Sequence, residues 1–404
     1  MPTTLGTGRP CLPTTTRTTP TLCCPSSRIA PMEHVSIEEV FGAYYECRRH
    51  KRNKRSAVEY EMDYEMKNYE LWKELNDMTY KPTTSIAFCV TRPKLREVFA
   101  ADFRDRIVHH LFIGKLNGEV ERRLSDSCCA CRNGKGSLYA ARRLKAMMER
   151  NAGGWYGRCD VNGFFMSIDK GILHELVNDV VCKSVSEDLG WWLWLADTLI
   201  FHCPEKCCEM RGDISLWDRL PDNKTLFRTH GVGLPIGNLT SQVLANLYLA
   251  EFDARMIGLL GDVDRYIRYM DDFIVMHPDK MVVCNAIRFA REWMGEHRNL
   301  TIHKRKVVVQ RNERGVRFVG YFVKGGVIHC GKAVRANAIR LCKRYSEHGK
   351  HTDGERKRLM TEYNSYSGLL KHTASYMVRR KMWRSLGDYD KITNINMLKI
   401  RVGV

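Results

Sequence analysis

The sequence predicts an α+β fold with an antiparallel sheet packed by helices. Three observations carry that prediction. Two short, largely apolar runs, Tyr266 to Met270 and Phe273 to Met276, read as strands joined by a turn at Asp271-Asp272. A third run starts at Trp155-Tyr156 and ends in a turn near Asp160, where Gly163 follows Asn162 and a helix over about 170–181 comes next. Beyond a helix over about 279–297, Leu300 to Ile302, Val307 to Gln310 and Arg317 to Val323 supply the last strands. Strand, helix, paired strands, helix, strand is an α+β order with an antiparallel sheet.

The other elements follow in chain order. Residues 1–31 are rich in Thr and Pro, lack apolar periodicity and read as disordered; Met32 is a candidate start, because a folded pattern begins just after it. Ser36 with Glu39 has the spacing of a capping box, and Val40, Phe41 and Tyr44 continue a helix. That helix runs into the basic patch 48–55, either a solvated face or a nucleic-acid backbone contact. A second helix is expected from about Ala57 to Asn76, then a strand over Ile86 to Val90 and a basic turn over 91–97. The next helix holds Arg104 and Arg106, which pair with Asp102 or Asp105 or touch a nucleic-acid strand, and His109 and His110, read as packed residues. Arg132 to Ser137 opens a further helix, either as a plain turn or as an anion site of backbone N–H groups. Residues 183–228, with Trp191, Trp192 and Trp194, read as a helical packing insertion, and 329–404 as basic helices with Tyr363, Tyr366 and Tyr376 between the charges.

Composition narrows the partners. In 404 residues, 65 Lys+Arg stand against 46 Asp+Glu, a net charge of +19 that suits a polyanion. No run of about 18 apolar residues predicts a membrane-spanning helix. The 16 cysteines have no repeated spacing, which fits reduced thiols in a cytoplasm better than a disulfide framework. The clusters Cys128-Cys129-Cys131 and His202-Cys203 with Cys207-Cys208 lack the paired spacing of a zinc site.

The carboxylates carry the chemistry. Adjacent Asp271 and Asp272 repel each other at a hairpin tip unless a cation lies there. Two divalent ions a few Å apart, serving phosphoryl transfer, are the usual reason for such a pair. Asp160, at a strand end, is the third carboxylate, and carboxylates are the hard ligands that Mg²⁺ prefers. Asp169 reads instead as the cap of the following helix.

Asp160 with Phe165 five residues on, then Gly231-Val232-Gly233-Leu234-Pro235-Ile236-Gly237-Asn238-Leu239-Thr240-Ser241-Gln242, then Tyr269-Met270-Asp271-Asp272, resembles the palm of a reverse transcriptase. It resembles in particular the bacterial enzymes of diversity-generating retroelements, which have Ile-Gly-Asn-x-x-Ser-Gln where most reverse transcriptases have Gln-Gly-x-x-x-Ser-Pro. The resemblance covers roughly residues 32–380. It implies a right-hand polymerase fold: N-terminal helices and fingers in 32–150, a palm in 151–328 and a helical, basic thumb in 329–404. It implies RNA-directed DNA polymerisation with two Mg²⁺ ions, or Mn²⁺ in their place. Asp160 and Asp271 would bridge both ions, with Asp272 secondary and the Val161 carbonyl a further ligand. Lys306, with Lys304 in competition, would protonate pyrophosphate. Lys94 and Arg96 would hold the incoming triphosphate. Phe165 would be the steric gate against a ribose 2′-OH, with Phe164 turned to the core. Ile236 and Gly237 would floor the nucleotide pocket. Arg132, Lys135, Gln242, Tyr269 and Met270 would face template or primer, with Thr240 or Ser241 capping the helix that starts there. The implied partners are a template RNA, a primer or target DNA, deoxynucleoside triphosphates and a small basic accessory protein, in a bacterial or phage-encoded, cytoplasmic setting. The family misincorporates opposite template adenine. A retron or group II intron relative is the alternative, opposed by Ile236 and Gln242; a non-catalytic binding module is a second, opposed by the intact carboxylates.

Overall fold

Ser36 caps α1 (Ile37–Arg48), and Glu39 reaches back to the Ser36 N–H, so the expected capping box forms. The computed structural model describes residues 33–49, 54–92, 94–347 and 352–386. The expectation for 1–31, half of the 48–55 patch and the end of the basic C-terminal region lie outside the described residues. The single helix expected over 57–76 is two, α2 (Arg55–Glu61) and α3 (Tyr64–Asn76). The break at Met62-Asp63 lets the Tyr60 hydroxyl donate to Asn68 Oδ1 at 2.9 Å and places the Tyr60 ring 5.0 Å from Phe103. Tertiary packing wins there over helix continuity.

β1 (Ser85–Val90) and β2 (Arg96–Ala100) form an antiparallel hairpin. α4 (Phe103–Arg123) starts at Asp102, whose carboxylate accepts from the Arg104 N–H. Arg104 pairs with Glu74 and lies 3.7 Å from Asp105, while Arg106 Nε donates to the Ala101 carbonyl at 2.8 Å. α5 (Ser137–Arg150), β3 (Trp155–Asp160) and α6 (Lys170–Ser184) follow, and Asp169 caps α6 as expected, accepting from Gly171 and Ile172.

The insertion departs from its expected role. α7 (Leu189–Ile200) buries Trp191 and Trp192, a packing helix as read. Then β4 (Cys208–Arg211) leaves the neighbourhood of β3 and pairs in parallel with β1, giving a sheet of order β2-β1-β4. An exposed edge of β1 offers unpaired backbone groups, and β4 satisfies them.

α8 (Leu239–Tyr248), α9 (Ala250–Leu260), β5 (Tyr266–Tyr269), β6 (Asp272–His277), α10 (Lys280–Arg298) and β7 (Val308–Arg311) complete the central part. Its sheet has the order β5-β6-β3-β7 and is antiparallel throughout. Strand alternation sorts its faces. Tyr266, Phe273 and Val275 join the large core with α4, α8 and α10, while Tyr156, Ile267, Ile274 and Met276 join a smaller core under α5.

The run expected as one strand over 317–323 is two, β8 (Val316–Phe318) and β9 (Tyr321–Lys324), split by left-handed Val319 and Gly320. With β10 (Val327–Cys330) they form a separate sheet, β10-β9-β8. α11 (Lys332–Glu347), α12 (Asp353–Leu370) and α13 (Tyr376–Ser385) enclose their own core of Leu341, Leu359, Tyr363 and Met382. Tyr363 is therefore a core residue, whereas Tyr376 is exposed. No described helix is long and apolar enough to cross a membrane.

Candidate active site

β3 and β6 pair so that Asp160 stands directly opposite Asp272. Because side chains alternate along a strand, Arg158, Asp160 and Asp272 share one face. The turn between β5 and β6 brings in Asp271, and the Val161 N–H fixes it by donating to the Asp271 carbonyl at 3.0 Å. Met270 adopts a left-handed φ of 56°, a conformation a side chain resists. Fully buried Arg268 holds that turn: Nη1 donates to the Met270 carbonyl at 3.2 Å, while Nε and Nη2 reach Asp253 at 2.7 and 2.6 Å. Met270 is thus a buried turn residue, and Tyr269 packs at the edge of the smaller core.

Burial, and then the charge of Asp160, push the Asp271 carboxyl above its ordinary value, and Asp272 adds to the effect. Burial also raises Asp272, against the pull of Arg158. The Arg158 guanidinium grips both Asp272 oxygens, Nε at 2.9 Å and Nη2 at 2.6 Å. Lys306 pairs with Asp160. Both oxygens of Asp272, a residue expected to ligate metal as a secondary ligand, are bonded to Arg158 in this arrangement. Arg158 is a residue the sequence reading passed over, although its position two before Asp160 on a strand signalled the shared face. Among the described residues no three acidic, His or Cys side chains form a ready metal cage. The donor chemistry still fits hard divalent cations: Asp160 and Asp271 are brought together against their mutual repulsion, and a bound cation would relieve it.

Beside Asp271 lies a cavity whose walls include Arg96, Phe165, Lys224 and Ile236. Arg96 reaches it; Lys94 does not, since it stays on the exposed turn ahead of β2. Phe164 is buried and Phe165 partly open to the cavity, although both lie in a 3₁₀ turn (Phe164–Ser167), where strand alternation does not apply. That turn binds the glycine-rich loop. The Leu234 N–H donates to the Phe165 carbonyl at 2.7 Å, and the Gly233 N–H to that of Ile168 at 2.8 Å. The Ile236 carbonyl accepts from the Phe99 N–H at 2.8 Å, which ties the loop to β2. Gly237 does not line the cavity: at φ 129° it abuts β2, where a Cβ would come 2.6 Å from the Phe99 carbonyl oxygen. Its role is to admit the backbone of β2.

The expected template and primer residues divide. Arg132 donates to Glu121, to the Ser125 carbonyl (both 2.6 Å) and to that of Cys128 at 3.0 Å, so its guanidinium secures the turn before α5 and is not presented to a template. Lys135 bonds Asp126 at 3.0 Å. Gln242 Oε1 accepts from the Cys131 thiol at 3.2 Å. Asn238, not Thr240 or Ser241, is the residue at the start of α8; both hydroxyl residues are buried inside the helix.

Two further residues of consequence were not foreseen. Glu97, read as part of a basic turn, is fully buried and accepts from Trp217 Nε1 at 2.7 Å, Thr225 Oγ1 at 2.6 Å and the Leu226 N–H at 2.8 Å. Lys224, in the same stretch of the insertion, stands at the cavity wall; desolvation there, and then the Lys306 ammonium, lower its pKa. Neither belongs to a motif, so no local signal marked them.

The chain matches the reverse transcriptase (RNA-dependent DNA polymerase) family over residues 92–323. It belongs to the reverse transcriptase family. This reverse transcriptase has an α+β right-hand polymerase fold. It is similar to the telomerase of Candida albicans bound to a fragment of telomeric RNA, with TM-score 0.43 and 10% identity, over 81% of this chain and 66% of that one. It is also similar to the apo telomerase of Candida tropicalis, with TM-score 0.46 and 10% identity, over 76% of this chain and 56% of that one. The reverse transcriptase thus spans less than two thirds of the length of these telomerase chains. No curated protein sequence matches it.

Proposed function

We propose that this chain is an RNA-directed DNA polymerase that copies a template RNA into cDNA. The observation that carries the reading is the pairing of β3 with β6, which sets Asp160 beside the Asp271 turn at the mouth of a cavity lined by Arg96, Phe165 and Ile236. Asp160 and Asp271 would hold the divalent ions, which supply activation of the primer 3′-OH and stabilisation of the leaving pyrophosphate. Arg96 offers a guanidinium to the triphosphate. Phe165 occupies space where a ribose 2′-OH would fall. Lys306, which pairs with Asp160, would donate a proton to pyrophosphate.

The resemblance to diversity-generating retroelements supports a finer reading, in which cDNA synthesis is error-prone at template adenines. Ile236 at the cavity wall offers only dispersion where a Gln would offer an amide. A template RNA, a DNA primer and a small basic accessory protein are the partners of that reading. Template-dependent incorporation of deoxynucleotides tests the activity. The unaltered chain should extend a primer on RNA with Mg²⁺ or Mn²⁺, and Asp271→Asn should abolish extension while leaving RNA binding nearly intact. Extension by the Asn variant at a near-normal rate would refute the assignment.

A further inference from the structure

The insertion is built so that one of its cations stands in the nucleotide cavity. Buried Glu97 gathers Trp217, Thr225 and Leu226, which staples residues 217–226 to β2. At the tip of this stretch, a 3₁₀ turn over Asp222–Lys224 docks on the loop that follows Asp160. Asn223 Nδ2 donates to Asn162 Oδ1 at 2.9 Å. The Asn223 carbonyl oxygen lies 2.7 Å from where a Cβ at Gly163 would stand, so only glycine permits the approach. Both neighbours of Lys224 are therefore tied down, Asn223 to the loop beside the catalytic strand and Thr225 to the buried carboxylate.

Lys224 itself has no ion-pair or side-chain hydrogen-bond partner within reach among the described residues. It lines the cavity together with Arg96 and Asp271. The charges that act on it are those of Lys306 and Arg96, which repel it, and of Asp271 and Asp160, which attract it. Desolvation and the two cations disfavour the ammonium there, against the pull of the two carboxylates. A polyphosphate in the cavity would reverse the balance and give the ammonium an anionic partner.

We propose that Lys224 binds the triphosphate of the incoming deoxynucleotide together with Arg96, so that the insertion forms a working wall of the nucleotide pocket. This rests on the polymerase reading and adds to it a substrate-binding residue from outside the motifs. Lys224 is exposed, so substitution leaves the core untouched.

The test uses the full chain with an RNA template and DNA primer. Lys224→Ala should raise the KM for deoxynucleoside triphosphate roughly tenfold, the worth of one charge-assisted contact, and change kcat less. Lys224→Arg should restore most of the KM. Affinity for the primer–template should be unchanged. In a second arm, a fluorescent deoxynucleoside triphosphate binds to the complex on a dideoxy-terminated primer, with no chemistry. Lys224→Ala should weaken that binding by a similar factor and leave binding of the corresponding monophosphate unaffected. An unchanged KM with unchanged triphosphate binding would overturn the proposal. So would weakened primer–template affinity at constant KM, which would assign Lys224 to the nucleic-acid backbone. If the unaltered chain incorporates no nucleotide at all, the polymerase reading fails, and the triphosphate-binding arm still decides the role of Lys224.

Discussion

Asp271 illustrates how a residue can be installed for chemistry against stability. Desolvation and the nearby Asp160 and Asp272 charges raise its pKa in the folded chain above the ordinary 3.8. The folded state thus holds this proton more tightly than the unfolded state does. Stability from this group is full below the unfolded value and falls as pH rises through the folded one. Asp271→Asn removes the penalty, so the metal-free variant should melt a few degrees higher than the parent at pH 7. The difference should shrink as pH falls towards 3.8. Thermal melts in a chelator across that range check it; a lower melting temperature for the variant at pH 7 would contradict the electrostatic reading. Ile236 makes the complementary case in the proposed error-prone reading, where a polar contact is left out. Restoring an amide with Ile236→Gln should lower misincorporation at template adenines by about tenfold, the scale of one pocket hydrogen bond, and lower it less at other bases. Sequencing cDNA made by both enzymes on one template measures this, and equal adenine error rates would remove Ile236 from the fidelity argument.

At the scale of elements, the site is a meeting of β3, the β5–β6 turn and the β2 edge, and the insertion is what clamps the last of these. Glu97 is the clamp: a carboxylate with three donors and no exposure. Glu97→Ala should destabilise the chain by about 3 kcal/mol, because it leaves buried donors at Trp217, Thr225 and Leu226 without an acceptor. Amide exchange should accelerate over 213–228 more than in the central sheet, and KM for nucleotide should rise with it. Uniform acceleration across the molecule would mean that Glu97 supports the whole fold and not this segment. The central sheet needs no such clamp, since Tyr266, Phe273 and Ile274 are buried on both of its faces.

Over the whole molecule, a charge of +19 sets the terms of association with nucleic acid. Phosphate contacts release counterions, so primer–template affinity should fall steeply, by orders of magnitude, between about 50 and 200 mM salt. Titrations at several salt concentrations give the slope, and a flat response would point to a mainly apolar interface. Arg335, Lys343, Arg356, Lys357 and Lys381, on α11, α12 and α13, are exposed, while Arg132 and Lys135 are paired inside the turn before α5.

The sequence by itself determined the elements that local chemistry controls. The Ser36–Glu39 box, the Asp169 cap, the strands at Trp155 and Tyr266, and the Asp160 and Asp271 positions all follow from spacing and alternation, which act over a few residues. What only the tertiary structure decided depends on contacts between residues far apart in the chain. β4 joins β1 across more than a hundred residues, Arg158 closes on Asp272, Glu97 gathers the insertion, and Lys224 arrives beside Asp271. A buried charge or an edge strand takes whichever partner the fold brings within reach, and no local pattern in the chain records which one that is.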